Sequence, residues 1–174
     1  MRRLYLLRHA KSSWDEPTLN DRERRLAPRG KRGAKLIRRH LQEHRIRPEL
    51  AICSPAERAR QTLAGIAVAL GDSTRIEVDE GLYTFSAREL LVSIQAVDPK
   101  LDSALVIGHN PAMHDLALHL AEDGEQLETL ARKFPTAALA TLEFECHWAE
   151  LGPRTARLSD FVRPKDLALS LIHI

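Results

Sequence analysis

The sequence has few cysteines and no long apolar run. Its 174 residues include only two thiols, Cys53 and Cys146, and both lie within or near apolar stretches. That usage is typical of reduced thiols in a cytoplasmic protein rather than of a disulfide scaffold. No apolar run approaches the ~18 residues of a membrane helix. The four apolar residues after Arg3 are also fewer than the roughly 7–15 of a signal peptide. The sequence therefore predicts a cytoplasmic protein without a membrane partner.

Charge of one sign is also lacking over the chain as a whole. The formal net charge is only +2, which gives no argument for a nucleic-acid partner. A content of 44% apolar and 29% charged residues is ordinary for a globular protein, and the length predicts one domain over 1–174. Positive charge is nevertheless concentrated between Arg22 and Arg47. We interpret that stretch as a solvated helix face, with a partner surface as the alternative.

Strand and helix patterns alternate along the chain, which favours an α/β fold. Apolar runs predict strands at 4–7, 50–53, 75–78 and 104–108, and a last antiparallel pair at 138–144 and 157–162. Amphipathic spacing predicts a helix from Pro28 to Arg45 and helices after Ser54, Ser86 and Asn110, each of which we interpret as a cap. We expect a three-layer α/β/α sandwich around a mostly parallel, mixed sheet.

Two histidines stand where short apolar runs break into turns. His9 follows the first run and is preceded by Arg8, whereas His109 follows the run that ends at Gly108. A third run breaks at Ser54 and leads into Arg58, within the first turn of a predicted helix. Ligand sites of open α/β sheets form outside the carboxyl ends of parallel strands, so these side chains are expected to converge.

Such a cluster suits a phosphoryl group. Arginine provides permanently charged, bidentate donors, and helix N-termini add backbone N–H groups. A neutral imidazole can attack phosphorus and carry the phosphoryl group, while a second, protonated imidazole donates to a non-bridging oxygen. We expect the neighbouring guanidiniums to lower the pKa of the nucleophilic histidine and keep it neutral.

Other functions for these polar residues receive less support. A metal site formed by His109, His114 and His119 is an alternative, but spacings of five residues put successive side chains on different helix faces, so no metal is predicted. Arg60 lies about 200° around the helix from Arg58 and is assigned to the surface. A non-catalytic phosphate-binding module is the alternative to an enzyme. The polar loop at 11–25 is long enough to be functional, with Trp14 either lining the substrate entrance or anchoring the loop.

Several segments resemble, in order, the motifs of the histidine phosphatase superfamily, the phosphoglycerate-mutase-like enzymes. Those motifs are Leu7-Arg8-His9-Ala10-Lys11, Ser54-Pro55-Ala56-Glu57-Arg58-Ala59-Arg60-Gln61-Thr62 and Gly108-His109-Asn110-Pro111. Further segments are similar to SixA-type phosphohistidine phosphatases, namely Arg24-Arg25-Leu26-Ala27-Pro28-Arg29-Gly30, Lys133-Phe134-Pro135-Thr136 and Phe161-Val162-Arg163-Pro164-Lys165-Asp166-Leu167. The resemblance covers nearly the whole chain and implies a phosphoglycerate-mutase-like fold.

The resemblance also implies roles for four residues. His9 would be the phosphorylated nucleophile, and Arg8, Arg58 and His109 would hold the phosphoryl oxygens. The enzyme would need neither metal nor cofactor. The preferred substrate is phosphohistidine on a protein, such as a histidine phosphotransfer domain. The alternative is a small phosphorylated metabolite, hydrolysed as a phosphomonoester.

Three further residues are weaker candidates. Arg24 matches an arginine that contacts substrate or phosphate. Lys11 is a possible substrate contact, with a solvated lysine as the alternative. Glu80 is the candidate general acid for an ester leaving group, although SixA-type enzymes manage without a strong acid because a phosphoramidate nitrogen needs less help. Ala10 replaces the usual glycine of the first motif.

Overall fold

Seven strands form one mixed sheet in the computed structural model, which describes residues 1–172. The strands are β1 Arg2–Arg8, β2 Leu50–Cys53, β3 Arg75–Val78, β4 Ser103–Gly108, β5 Ala121–Asp123, β6 Leu139–Phe144 and β7 Ala156–Val162. The helices are α1 Pro28–Glu43, α2 Glu57–Leu70, α3 Ala87–Gln95, α4 Ala112–Leu120, α5 Leu127–Arg132 and α6 Pro164–Ile172. The strand order is β3-β2-β4-β1-β6-β7-β5.

Helices cover both faces of this sheet because side chains alternate along each strand. From β1, Leu4 and Leu6 enter the apolar cluster with α3, α4 and α5. Leu7 enters the opposite cluster, which contains residues of α1 and α2. The predicted three-layer α/β/α sandwich is confirmed.

The strands that carry the predicted site run parallel at the centre of the sheet. β1 and β2 both pair with β4, and Leu7 and Cys53 lie opposite Ile107 on either side of it. Their carboxyl ends therefore share one edge. β6 and β7 form the predicted antiparallel pair, so β7 ends at that edge as well. The short strand β5 was not predicted, because a three-residue segment with two exposed acids has no apolar pattern.

Two predicted helix caps are wrong, and a third is confirmed. α2 begins at Glu57 without a side-chain cap, because the Ser54 hydroxyl lies 2.7 Å from the His109 ring. α4 begins at Ala112, because the Asn110 amide donates instead to the Phe134 carbonyl oxygen. Ser86 does cap α3, accepting from the backbone N–H of Glu89 at 3.3 Å. At these two positions the polar side chain contacts the site rather than the helix start, and the buried Oδ1 of Asn110 has no hydrogen-bond partner within residues 1–172.

The two cysteines are reduced, and the helices are short. Cys53 and Cys146 are free thiols, and burial raises the pKa of Cys53 to about 12. Among the helices of residues 1–172, none combines the length and the apolarity that a bilayer crossing requires.

Candidate active site

His9 and His109 meet at the carboxyl edge of the sheet. The backbone N–H of His9 donates to the Gly108 carbonyl at 3.1 Å, which fixes the end of β1 beside the end of β4. The two imidazoles are 7% and 2% exposed, and their ring centroids are 5.1 Å apart. Both rings are therefore close enough to contact one phosphoryl group.

The hydrogen bonds of His9 fix its tautomer. Its Nδ1 lies 2.8 Å from the Ala10 carbonyl oxygen, which can only accept. Nδ1 therefore carries the proton, and in the neutral ring Nε2 keeps its lone pair. That is the form in which an imidazole attacks phosphorus.

Both rings are neutral near pH 7. Burial lowers the pKa of His9 to about 3, and His109, Arg58 and Arg8 lower it further despite the opposing hydrogen bond to Ala10. Burial also lowers the pKa of His109 to about 4, with a smaller contribution from Arg58. The predicted influence of the guanidiniums is present, but removal from water is the larger cause.

This neutrality predicts that the fold loses stability in acid. From about pH 7 to about pH 5, the free energy of unfolding should fall by about 2 kcal/mol for each of the two histidines. The folded pKa values, about 3 and about 4, lie below the ordinary 6.5, so only the unfolded chain takes up protons as the pH falls through 6.5. Urea titration at the two pH values measures the loss. His9→Asn should reduce the loss by about 2 kcal/mol, whereas the same change at exposed His147 should not. An equal loss in all three proteins would contradict the assignment.

Arg58 joins His109 from the first turn of α2. Its Nη2 lies 3.3 Å from Nδ1 of His109, and the side chain of Arg58 is 4% exposed. A guanidinium only donates, so Nδ1 accepts, and Nε2–H of His109 donates to the Ser54 hydroxyl. In this state both nitrogens of His109 are satisfied by the protein.

Asp21, in the polar loop at 11–25, binds the same guanidinium. Its Oδ2 lies 3.1 Å from Nη2 of Arg58 and accepts from the Tyr83 hydroxyl at 2.5 Å, and its Oδ1 lies 3.1 Å from Nη1 of Arg24. Burial alone would raise the pKa of Asp21, but the hydrogen bonds from Tyr83 and Arg58 hold it below its usual value. The ionised carboxylate of Asp21 is thus paired with the guanidinium of Arg58, a group that also suits phosphate.

Neither Asp21 nor Tyr83 was predicted from the sequence. Asp21 lies among several polar residues of a loop, and Tyr83 follows the short 3₁₀ helix Glu80–Leu82. Their pairing spans 62 positions. The sequence holds no local signal for either residue.

Arg8 enters the site from the end of β1. Its Nη1 donates to the Phe134 carbonyl at 3.0 Å, and its buried Nε has no hydrogen-bond partner within residues 1–172. Burial lowers the pKa of Arg8, and the nearby charge of Arg58 lowers it further. Two guanidiniums against the single carboxylate of Asp21 leave positive charge at the histidines, which favours an anion.

The three weaker candidates lie around this group. Arg24 stacks on Trp14, with its guanidinium carbon 3.4 Å from the ring centroid, and donates to the Ser12 hydroxyl. Trp14 therefore helps to hold the loop. Lys11 is exposed and lines a separate groove. Glu80 is an exposed carboxylate, 2.5 Å from Arg22 in an ion pair.

The structure thus brings together four of the predicted residues: Arg8, His9, Arg58 and His109. Within residues 1–172, no hydrogen bond or ion pair links Lys11 or Glu80 to them. Arg60 is exposed on α2, as predicted.

His114, on α4, packs within the protein, and within residues 1–172 no hydrogen bond links its side chain to His9 or His109. Nε2 of His114 lies 2.6 Å from the Leu130 carbonyl oxygen, and its ring packs against Phe134. In the part of the chain that the structure describes, no group of three or more His, Cys, Asp or Glu side chains is placed to hold a metal ion.

The chain is similar in sequence and fold to known histidine phosphatases. The model of the histidine phosphatase superfamily (branch 1) matches residues 4–90. The uncharacterized protein Rv1276c of Mycobacterium tuberculosis is 35% identical over 163 residues, which cover 91% of this chain and 100% of that protein.

Two solved structures share both sequence and fold with the chain. One, assigned as phosphohistidine phosphatase SixA from Agrobacterium tumefaciens, is 32% identical with a TM-score of 0.80 and covers 94% of this chain and 98% of its own. Another, assigned as SixA from Nakamurella multipartitia, is 28% identical with a TM-score of 0.81 and covers 94% and 96%. The chain therefore belongs to the histidine phosphatase superfamily, is of the SixA type, and is a phosphatase.

Proposed function

We propose that the protein removes the phosphoryl group from phosphohistidine on proteins, through a phosphorylated His9 and without a metal. The observation that carries this proposal is the buried, neutral His9, whose Nε2 is free to attack beside His109 and two guanidiniums. The names of the two SixA-type neighbours support the substrate class.

The surroundings of His9 also favour a phosphoramidate over an ester. An alkoxide leaving group needs a proton from an acid, whereas an imidazole leaves more readily. Neither Asp21 nor Glu80 is suited to that task. The Asp21 carboxyl is held ionised by Tyr83 and Arg58, and Glu80 is exposed and paired with Arg22.

The reaction then takes two displacements. The Nε2 lone pair of His9 attacks phosphorus, the bond from phosphorus to the substrate nitrogen breaks, and that nitrogen keeps the electron pair and takes a proton from water. As the phosphoryl group arrives, Arg58 exchanges the Asp21 carboxylate for phosphoryl oxygens. When Nη2 of Arg58 turns to the phosphoryl oxygens it also leaves Nδ1 of His109, which then takes a proton from water and donates to a phosphoryl oxygen. Water then attacks phosphorus as the bond from phosphorus to Nε2 of His9 breaks. Nε2 takes back its electron pair, the attacking water loses a proton to solvent, and inorganic phosphate is released.

The test is a side-by-side measurement of kcat/KM on a phosphohistidine protein and a panel of sugar and nucleotide phosphates. We expect the phosphohistidine protein to be the better substrate, with activity retained after treatment with a strong chelator. Preference for an ester would favour the alternative phosphomonoesterase, and loss of activity on chelation would contradict the metal-free mechanism.

Glu80→Gln separates the two substrate classes further. On a phosphoramidate we expect less than about a threefold change, because no strong acid is needed, whereas a general acid is worth about 100-fold or more. Rates on a phosphoramidate and on a phosphate ester are compared for the variant, with Glu77→Gln on exposed β3 as the control. A fall of 100-fold on the ester alone would assign Glu80 as the acid for ester substrates.

Asp21→Asn should tighten the binding of orthophosphate. The substitution keeps the shape of the side chain but removes the negative charge that now neutralises Arg58, so we expect the inhibition constant of orthophosphate to fall about fivefold. Asp15→Asn, an exposed change in the same loop, should leave the constant unchanged. A higher inhibition constant for Asp21→Asn would instead mean that Asp21 orients Arg58 for phosphate.

A further inference from the structure

A basic groove opens at the same edge of the sheet as the histidines. Its volume is about 590 Å³, within the range of binding pockets. Four separate parts of the chain supply its cations: the end of β1, the start of α1, the end of α5 and the start of α6. These cations are Lys11, Arg29, Arg32, Arg132, Lys133, Arg163 and Lys165.

Positive charge in this groove is mostly uncompensated. The residues that line it include no Asp or Glu. Arg163 is paired with Asp166 at 2.8 Å, and among residues 1–172 the other six cations have no ion-pair partner within 4.0 Å. Like charges repel, so a folded chain that gathers six of them around one concavity gains from an anionic partner.

The groove adjoins the phosphate-binding arginine through one short segment of chain. The carbonyl of Phe134 accepts from Arg8, whereas the neighbouring Lys133 and Pro135 line the groove. Three residues on, the N–H of Ala137 lies 3.0 and 3.1 Å from the carbonyl oxygens of Arg8 and His9. The segment 133–137 thus has the reactive histidine on one side and the basic groove on the other.

The start of α1 is fixed against the backbone of Lys11, which also lines the groove. Gly30 packs so closely on Lys11 that a Cβ at this position would lie 2.0 Å from the Lys11 carbonyl oxygen. Arg29 and Arg32 are thereby held beside the residues that follow His9. The basic stretch that the sequence suggested as a solvated helix face therefore contributes part of a shared groove.

We infer that this groove binds acidic side chains of the protein that carries the phosphohistidine. This inference rests on the proposed function. A substrate that occupies both His9 and the groove must extend across the segment 133–137, which a polypeptide surface does more readily than a compact metabolite. Aspartate and glutamate near the phosphohistidine would meet the six unpaired cations, increase the rate of encounter and lower KM.

The test uses synthetic peptides with one phosphohistidine, flanked on each side by four Glu, four Gln or four Lys. We expect kcat/KM to be about tenfold higher for the Glu peptide than for the Gln peptide, mainly through KM, and lowest for the Lys peptide. About 0.5 M salt should reduce the difference, because it screens exposed charges.

Reversing the charge of groove residues tests whether the preference for the Glu peptide arises in the groove. The triple variant Arg29→Glu, Arg32→Glu, Lys165→Glu should lose the preference for the Glu peptide and hydrolyse the Gln peptide within about twofold of the wild-type rate. The matched control is the triple variant Lys31→Glu, Lys35→Glu, Arg39→Glu. It changes the net charge by the same amount, at exposed positions of α1 outside the groove. This control should keep the preference.

Each other outcome overturns the inference. Equal rates on the three peptides, or an equal effect of the two triple variants, would mean that the groove does not select acidic substrates, and would leave the proposed phosphohistidine phosphatase activity standing. Failure to hydrolyse any of the peptides, with activity on an ester retained, would remove the proposed function and the inference with it.

Discussion

His9→Ala is expected to lower kcat by about four orders of magnitude or more and to abolish covalent labelling by a radioactive phosphoryl donor. Both expectations have one cause. The variant removes the imidazole proposed to form the bond to phosphorus, and the arginines that remain bind the phosphoryl group without accepting it. The readouts are single-turnover rates and the amount of acid-labile, protein-bound phosphate.

The structure offers a matched control within the same protein. His114→Ala removes an imidazole that contacts a backbone carbonyl rather than the site, and should leave both labelling and kcat close to those of the wild type. His109→Ala should still be labelled, but should turn over slowly, because the hydrogen-bond donor to the phosphoryl oxygens is lost while the nucleophile remains. Acid-labile label that persists in His9→Ala would refute the assignment of the nucleophile.

Six of the seven strands and the four central residues could be predicted because they depend on short-range patterns and one topological rule. Apolar runs mark β1, β2 and β4, and parallel strands deliver whatever follows their ends to one edge. The structure confirms that these ends meet, and His9 and His109 are brought together as expected.

The rest of the site depends on contacts between distant segments, which no local pattern encodes. Asp21 reaches Arg58 and Tyr83 only because the loop at 11–25 folds back over the strand ends. Ser54 has the sequence pattern of a helix cap, yet the buried ring of His109 takes its hydroxyl. The basic groove combines four segments, and no local pattern in the sequence indicates that they come together.

The dominant cause of the histidine pKa shifts also required the structure. The sequence places arginines near His9 and so predicts the direction of the shift. The depth of burial, which is the larger cause, is known only from the folded structure. This burial keeps His9 neutral before any anion binds.

Arg58→Lys should show how much of catalysis depends on the guanidinium rather than on its charge. Lysine keeps one positive charge but loses the fork of donors that now contacts His109 and Asp21 together. We expect kcat/KM to fall about 100- to 1,000-fold, the cost typical of losing a donor that stabilises a transition state.

The control for this change lies two residues away. Arg60→Lys alters an exposed side chain of the same helix and should change kcat/KM by less than about twofold. Thermal unfolding of both variants distinguishes catalysis from stability, because the buried Nδ1 of His109 loses its donor in Arg58→Lys and the fold should lose about 1–3 kcal/mol. If Arg58→Lys were as active as the wild type, a point charge would suffice at position 58. Paired hydrogen bonds to the phosphoryl group would then have to come from Arg8 and from backbone donors.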